Sequence, residues 1–190
     1  MQVCFARRGP GPFRGGPGEA LEERARKKGV RNVETVCSTW EEYEGPTFDE
    51  VCAAYVGEAC VDSGLRKMVE HSRRGGVIVA PASDVKDDFG CRELFRMLGK
   101  SPPAGGKSAR EVERWLNALG LAYESEEVEY EFGQPLNDFD EAVRFIIGQF
   151  GLGAEDGDVV ERFLEGRLVV RPGYIYLPNR KRARVLRWRI

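Results

Sequence analysis

The sequence predicts a mixed α/β fold, with a mainly parallel sheet whose carboxyl-terminal strands are antiparallel. Short apolar segments rich in β-branched residues, such as VIVAP at 77–81, alternate with segments that have the apolar period of a helix. An acidic segment with alternating apolar residues follows later, and the chain closes on a basic, aromatic segment. Strands that alternate with helices favour a parallel sheet covered by those helices, and the late charged strands favour an antiparallel edge.

Composition narrows the classes of protein further. The 190 residues are 42% hydrophobic and 32% charged, with 29 Lys and Arg against 31 Asp and Glu. This balance excludes a disordered acidic tail and a histone-like basic protein. Since no apolar run approaches the roughly 20 residues that cross a bilayer, we expect a cytoplasmic protein with no membrane partner. Abundant charge with scarce Asn and Gln favours a thermophilic source.

The amino-terminal part is predicted to begin without regular structure. Residues 1–17 are rich in Gly, Pro and Arg, which predicts a disordered or irregular segment, and one α/β domain is expected over 18–190. Within that domain a charged helix is expected over Glu19–Lys28, ended by Gly29. A short strand then fits Val33–Cys37.

The central part continues the alternation of strands and helices. A buried strand is expected over Phe48–Val56 and a helix over Gly64–Ser72. Gly75 and Gly76 are expected to break that helix before the strand Val77–Pro81. The remaining predicted elements are helices over Arg92–Leu98, Ala109–Leu119, Phe139–Phe150 and Val159–Leu164, an acidic strand around Val128, and a final hairpin with the basic segment KRARVLRWRI.

Cysteine and histidine usage argues against metal and hydrolase sites. The five cysteines form no CxxC pair, and His71 is the single histidine. A structural zinc needs about four such ligands at short spacings, so no metal is predicted. His71 lies in an amphipathic segment, where a solvated side chain is the simpler interpretation, and the sequence assigns no catalytic residue.

The order of several phrases resembles a known enzyme family. GVRNV precedes a strand, FDEV begins the next, LRKM lies in the following helix, and GG precedes VIVAP. Together with the acidic strand, the DFDEA helix and the basic last strand, this order resembles the class I S-adenosylmethionine-dependent methyltransferases. The resemblance covers about 18–190 and implies a Rossmann-like fold, S-adenosylmethionine as cofactor, and methyl transfer to a small-molecule or macromolecular acceptor that it does not identify.

The resemblance also implies cofactor-binding positions at the carboxyl ends of two strands. Ser38, Thr39 and Trp40 follow the strand at 33–37, where the family binds adenine, and Tyr55 ends the next strand near the methyl group. For Trp40 the alternative is packing under its loop, and for Tyr55 it is packing in the core.

On the substrate side, the resemblance implies three candidates, namely Gly57, Asp62 and Ser83. Asp62 stands directly before a predicted helix, where an aspartate is also a good amino-terminal cap. That structural interpretation stays open beside the functional one.

The family's Gly-rich cofactor loop has no clear counterpart in the sequence. RRGPGPFRGGPG at 7–18 has the glycines, but no strand is predicted before it. The resemblance therefore implies that the first βαβ unit is missing or degraded. The alternative function is a methyltransferase-like binding or regulatory module that does not bind the cofactor.

Two kinds of macromolecular partner follow from the sequence. The basic carboxyl-terminal segment could contact nucleic acid. The alternative is a solvated edge strand with Val185, Leu186 and Trp188 pointing inward. The overall charge of −2 also argues against nucleic acid. A sheet that lacks its first strands exposes an edge, which predicts a homodimer.

Overall fold

The computed structural model of the chain describes residues 2–5, 17–31, 33–36, 38–55, 62–83 and 87–190. The chain divides into two compact units, Met1–Phe48 and Asp49–Ile190. The sequence predicted one domain over 18–190, and the structure divides that range at Phe48.

The first unit contains a strand–helix–strand unit. Strand β1 (Gln2–Phe5) pairs in parallel with β2 (Val33–Val36), and α1 (Pro17–Lys27) lies between them in the chain. A proline at the first helical position suits the start of α1, and Gly29, at φ +71°, follows its end as predicted. Within the segment 1–17 that is expected to be irregular, residues 2–5 form β1, a short strand stabilised by its pairing with β2. Residues 6–16 lie outside the described residues, so the expectation for the segment stays a prediction.

The second unit contains the remaining elements. Its helices are α2 (Asp62–Glu70), α3 (Cys91–Met97), α4 (Ala109–Ala118), α5 (Phe139–Phe150) and α6 (Gly157–Leu164). Its strands are β3 (Phe48–Ala54, whose first residue ends the first unit), β4 (Ser72–Pro81), β5 (Tyr123–Glu131), β6 (Gln134–Leu136), β7 (Val169–Arg171), β8 (Tyr174–Leu177) and β9 (Arg180–Arg189).

The main sheet has the order β3-β4-β9-β5. Strands β4 and β5 are both antiparallel to β9, so they run parallel to each other. The Tyr55 amide donates to the Val79 carbonyl at 2.9 Å, and Val51 lies beside Gly76, so β3 runs parallel to β4. Three parallel strands with one antiparallel strand among them confirm the predicted mixed α/β class.

Helices α2 and α4 pack against one face of this sheet. They cover an apolar layer of fully buried side chains: Leu65 and Met68 from α2, Val112 and Leu116 from α4, Ile78 and Ala80 from β4, and Leu186 and Trp188 from β9. Burying side chains of this size is the main stabilising contribution to such a layer.

Strand β4 begins earlier than the sequence predicted. Gly75 and Gly76 lie inside the strand, not between a helix and a strand. A Cβ at Gly76 would meet the Val51 carbonyl and the Trp188 ring, and one at Gly75 would meet the backbone at Trp188. The two glycines are therefore needed for the close approach of three strands, which the local sequence does not reveal.

Strand β9 lies inside the sheet, so its prediction as an edge strand is wrong. Leu186 and Trp188 are buried as expected, and Val185 is half-buried. The basic residues of β9 lie beside the acidic residues of β5, with Arg182 3.5 Å from Glu127 and Arg180 3.6 Å from Glu129. These pairs place the charged strands side by side, and β5 occupies the edge.

A second layer is formed by α3, α5 and α6 with the small antiparallel sheet β6-β8-β7. Its core consists of Leu94, Leu136, Ala142, Ile146, Val160, Phe163, Leu164 and Leu177. Across all the described ranges, no helix is both long enough and apolar enough to span a bilayer.

Candidate functional site

The carboxyl ends of β3, β4 and β5 meet at one edge of the main sheet, beside the first residues of β9. Ligands of open α/β sheets bind outside this edge, because loops diverge there and leave a crevice. We define the carboxyl-edge cluster as Tyr55, Asp88, Tyr130, Phe132 and Lys181.

Tyr55 follows the end of β3 with an unusual backbone. Its φ is +55°, a region that costs non-glycine residues free energy, and its side chain is 44% exposed. The hydrogen bond from its amide to the Val79 carbonyl, at 2.9 Å, holds this conformation against β4. Strain of this kind at an exposed aromatic side chain is typical of functional positions.

The hydroxyl of Tyr130, near the end of β5, donates a hydrogen bond to the hydroxyl of Tyr55. The two rings meet edge to face, with centroids 6.4 Å apart. Partial burial, the bond to Tyr130 and the nearby Asp88 carboxylate together raise the pKa of Tyr55. Tyr55 is therefore a neutral phenol near neutral pH, whose hydroxyl can donate and accept hydrogen bonds.

The Asp88 carboxylate and the Lys181 ammonium form a partly buried ion pair, with Oδ1 and Nζ 3.1 Å apart. The same ammonium lies 5.4 Å from the centre of the exposed Phe132 ring. Lys181 is directly opposite Tyr130 in the register of β9 and β5. The cluster thus combines two phenols, one carboxylate, one ammonium and one exposed aromatic face.

The predicted adenine-side residues lie in the first unit, in the loop after β2. The Ser38 hydroxyl donates to the Thr39 carbonyl at 3.0 Å, and the Thr39 hydroxyl accepts from the Glu42 amide at 3.2 Å. Trp40 is half-buried and stacks on the buried Tyr43, with ring centroids 5.9 Å apart and an interplanar angle of 13°. These contacts agree with loop packing, and the cofactor roles of the three residues stay predictions.

The three substrate-side candidates are distributed as follows. Gly57 lies outside the described residues. Asp62 is the first residue of α2, and its carboxylate lies 3.7 Å from Arg66 one turn later, which agrees with a role at the helix start. Ser83 is exposed two residues after β4, at the same edge as Tyr55.

Sequence reasoning missed Asp88, Tyr130, Phe132 and Lys181 as site residues. In the sequence, Tyr130 and Phe132 stand in the acidic segment around Val128, and Lys181 stands in the basic carboxyl-terminal segment. The register that places Lys181 opposite Tyr130 depends on pairing between distant segments. The rule that parallel strands share one functional edge would have indicated Tyr130, had β5 been recognised as parallel to β4.

The cluster has no metal-binding character. In the part of the chain that the structure describes, no three His, Cys, Asp or Glu side chains are grouped closely enough to hold an ion. The predicted absence of metal ligands concerns the whole chain and stays a prediction for the segments outside those ranges.

The known proteins that are similar to this chain were found by structure and not by sequence. No protein-family model matches the chain, and no curated protein matches its sequence. Among solved structures, a Bacillus halodurans C-125 protein assigned as a methyltransferase is similar, with 14% identity and a TM-score of 0.56. The match covers 98% of this chain and 81% of that one.

Two further solved structures are similar at TM-scores below 0.5. The YcgJ protein of Bacillus subtilis has 20% identity and a TM-score of 0.49, over 90% of this chain and 77% of that one. The magnesium protoporphyrin IX methyltransferase of Synechocystis PCC 6803, solved with bound S-adenosylhomocysteine, has 10% identity and a TM-score of 0.44. That match covers 89% of this chain and 57% of the Synechocystis protein.

Proposed function

We propose that this chain, which has the fold of the class I S-adenosylmethionine-dependent methyltransferases, transfers a methyl group to an acceptor held at the carboxyl-edge cluster. The observation that carries the proposal is the strained, exposed Tyr55, hydrogen-bonded to Tyr130 where three parallel strands end. This is the edge at which open α/β folds bind their ligands.

The residues of the cluster fit a cationic cofactor. When bound, S-adenosylmethionine supplies an electrophilic methyl group on a positively charged sulfur. An exposed aromatic face such as that of Tyr55 attracts cations through its ring quadrupole. The Asp88 carboxylate and the Phe132 ring already face the Lys181 ammonium, so Tyr55 is the residue of the cluster that offers a face to a cation. The Tyr55 hydroxyl is a neutral hydrogen-bonding group that does not compete for the methyl group, because the raised pKa of Tyr55 keeps its phenol protonated.

The roles of this chain's residues are chiefly binding and orientation. Tyr55 orients the ligand through its ring and hydroxyl, with Tyr130 fixing the hydroxyl. An Asp88 oxygen accepts a hydrogen bond from an O–H or N–H of the acceptor, with the Lys181 ammonium 3.1 Å from Oδ1 holding the carboxylate in place. Positioning of this kind is the main contribution that a protein makes to a reaction with a reactive cofactor. Ser38, Thr39 and Trp40 stay the proposed adenine-side residues.

The pairing of β9 with acidic residues supports an acceptor other than nucleic acid. Arg184 lies 2.6 Å from Glu113, and Arg182 lies 3.5 Å from Glu127. Side chains that are paired in this way offer little net positive charge to a phosphate backbone, which such binding requires.

Thermal unfolding with S-adenosylmethionine and S-adenosylhomocysteine tests the proposal. For a Kd near 100 μM, 1 mM ligand stabilises the folded protein by about 1.4 kcal/mol, which raises the Tm by about 3–6 °C in a protein of this size. Tyr55→Ala should reduce the shift, and Tyr174→Ala, at an exposed tyrosine on β8, should leave it unchanged.

The absence of any shift at millimolar concentrations of both ligands would contradict cofactor binding and would favour the non-catalytic module. An equal loss of the shift in Tyr55→Ala and Tyr174→Ala would contradict the location of the site. Both variants are first compared with the unaltered protein by circular dichroism, so that a loss of fold is distinguished from a loss of binding.

A further inference from the structure

A cavity of about 460 Å³ lies beside the amino-terminal half of β4, away from the carboxyl edge of the main sheet. Residues of three neighbouring strands line it: Glu50 of β3, Arg74, Gly76 and Val77 of β4, and Arg187, Trp188 and Arg189 of β9. The carboxyl-edge cluster contains none of these residues and lies towards the opposite end of β4. The cavity is therefore separate from the proposed methyl-transfer site.

The pairing of β4 with β9 explains why two arginines line one cavity. Arg187 and Arg189 are two positions apart in β9, so their side chains leave the sheet on the same face. Val77 is directly opposite Arg187, and Gly75 is directly opposite Arg189. Since a glycine has no side chain, the space beside Arg189 is open, and Val77 supplies an apolar surface next to it.

The three arginines of the cavity have no acidic partner. In the described ranges, Arg74, Arg187 and Arg189 form no ion pair and no side-chain hydrogen bond, and all three residues are exposed. Their N–H groups are therefore both unused and accessible to a ligand. Each guanidinium has five N–H donors in a planar fork, so the three together can surround one oxyanion.

Two carboxylates stand near these arginines without pairing with them. Glu124 is directly opposite Arg187 in the register of β5 and β9, and Glu50 lines the cavity itself. Neither carboxylate forms an ion pair with a described side chain. Arg184, on the same strand as Arg187, lies by contrast 2.6 Å from Glu113. The unpaired charge is thus a feature of this cavity and not of β9 as a whole.

The charges of the cavity favour a dianion. Three guanidinium groups and the one carboxylate of Glu50 give its wall a net charge of +2. Like charges around one space repel each other, and an anion bound among them offsets that repulsion. A phosphate monoester carries close to two negative charges near neutral pH, and arginine forks match its oxygens in paired hydrogen bonds. Phosphate is therefore the group that fits this wall best.

We propose that this cavity binds a small phosphate monoester through the guanidinium groups of Arg74, Arg187 and Arg189. Its volume of about 460 Å³ lies within the range of roughly 300–1,000 Å³ that is usual for small-molecule sites. The phosphate lies among the guanidinium groups, and its organic substituent contacts Val77. The site uses neither the cofactor nor the methyl acceptor, so it is independent of the proposed function.

A titration of the full chain by ¹⁵N NMR at pH 7.5 and constant ionic strength tests the site, with phenyl phosphate, inorganic phosphate and succinate as probes. We expect saturable shifts of the Gly76 and Val77 amides with both phosphates, at a Kd of about 1 mM or below for phenyl phosphate. Phenyl phosphate should bind more tightly than inorganic phosphate, because its ring contacts Val77. Succinate is a dianion without a phosphate group, and it should bind more weakly than either.

Five variants locate the binding. Arg187→Gln and Arg189→Gln each remove charge-assisted hydrogen bonds to the phosphate, so each should lower the affinity about tenfold. Glu50→Gln removes the one repelling carboxylate and should raise the affinity about threefold. Arg171→Gln on β7 and Glu161→Gln on α6 make the same changes of charge at exposed positions outside the wall, and they should leave the affinity unchanged.

The absence of saturable shifts with both phosphates would overturn the proposal. An equal affinity of Arg187→Gln and Arg171→Gln for phenyl phosphate would overturn it too, provided that both variants keep dispersed spectra. Succinate binding as tightly as phenyl phosphate would contradict the choice of phosphate. Inorganic phosphate binding as tightly as phenyl phosphate would contradict the contact of the ester substituent with Val77.

Discussion

The hydroxyls of Tyr55 and Tyr130 are hydrogen-bonded to each other, although the two residues are 75 positions apart in the chain. This bond connects the end of β3 to the end of β5, two strands that are not neighbours in the sheet order β3-β4-β9-β5. It therefore spans the carboxyl edge above β4 and β9, and it joins the two strand ends through their side chains.

A double-mutant cycle measures the strength of this bond. Tyr55→Phe and Tyr130→Phe each remove one hydroxyl and keep the ring, so each should lower the free energy of unfolding by about 0.5–1.5 kcal/mol. The double variant should lose less than the sum, since the second substitution has no bond left to break. Urea unfolding gives the three values, and strict additivity would contradict a direct bond.

The backbone of Tyr55 leads to a second prediction. At most positions Ala is more stabilising than Gly, but at φ +55° the Cβ of an L-residue is strained. Tyr55→Gly should therefore be more stable than Tyr55→Ala by roughly 1 kcal/mol in urea unfolding. Ser83→Gly and Ser83→Ala provide the matched pair at another exposed position of the same edge, for which no positive φ is found. At position 83 the Ala variant should be at least as stable as the Gly variant. If Tyr55→Ala were likewise at least as stable as Tyr55→Gly, the backbone at Tyr55 would carry no strain.

The close approach of β3, β4 and β9 leads to a third prediction. A methyl group at Gly76 would meet the Val51 carbonyl and the Trp188 ring, so Gly76→Ala should cost about 1–3 kcal/mol of stability as an overpacked core does. Gly106→Ala is the control, because a Cβ there has no neighbour within 4 Å. Equal Tm values for the two variants would contradict the tight packing of these strands.

The sequence predicted those elements whose ends are specified locally. Helix α5 was predicted at its observed bounds because both of its ends have local signals. The Asp138 carboxylate accepts from the Glu141 amide at 2.7 Å, and Gly151, at φ +62°, ends the helix. The family resemblance implied Tyr55 as a cofactor-binding residue, and that role stays a prediction.

The features that the sequence did not predict depend on distant partners. Gly76 was interpreted as a helix breaker because its need for space comes from Trp188 on another strand. The role of Lys181 depends on the register of β9 against β5, and the hydrogen bond from the Phe89 amide to Asn179 joins residues 90 positions apart. Contacts between segments far apart in the chain leave no periodic signal in either segment, so they become visible only in the folded structure.

A fourth prediction concerns stability in acid. Lys100 Nζ donates to both oxygens of the buried Asp156 carboxylate, at 2.8 and 2.6 Å. This hydrogen-bonded pair lowers the pKa of Asp156 below the ordinary 3.8, while burial opposes the shift. Because the folded state holds the carboxylate ionised, the stabilisation is fully present well above pH 3.8 and is lost as the pH falls through the lower, folded-state pKa.

Thermal unfolding from pH 7 to pH 2.5 tests this sign. Lys100→Gln should lower the Tm most at neutral pH, and its difference from the unaltered protein should shrink in the acid range. Lys107→Gln, at an exposed position in the loop before α4, should follow the unaltered protein throughout. If the Tm difference between Lys100→Gln and the unaltered protein stayed constant with pH, the ionisation of Asp156 would not be coupled to this pair.

The last prediction concerns Cys52, an exposed thiol on β3. Partial burial of the sulfur and the charge of Glu50 both raise the pKa of this thiol above its ordinary value. Since the thiolate is the nucleophile, Cys52 should react with iodoacetamide more slowly at pH 7.5 than an unstructured cysteine peptide, despite its exposure. Peptide-resolved mass spectrometry separates its rate from those of the other cysteines.

Glu50→Gln should increase that rate by up to about fivefold, because it removes one negative charge near the thiolate. Glu70→Gln, at the end of α2, is the matched control and should leave the rate unchanged. Added salt should reduce the difference between Glu50→Gln and the unaltered protein, since screening weakens the same repulsion. A Cys52 rate that equals the peptide rate in all three proteins would mean that neither burial nor Glu50 controls the thiolate.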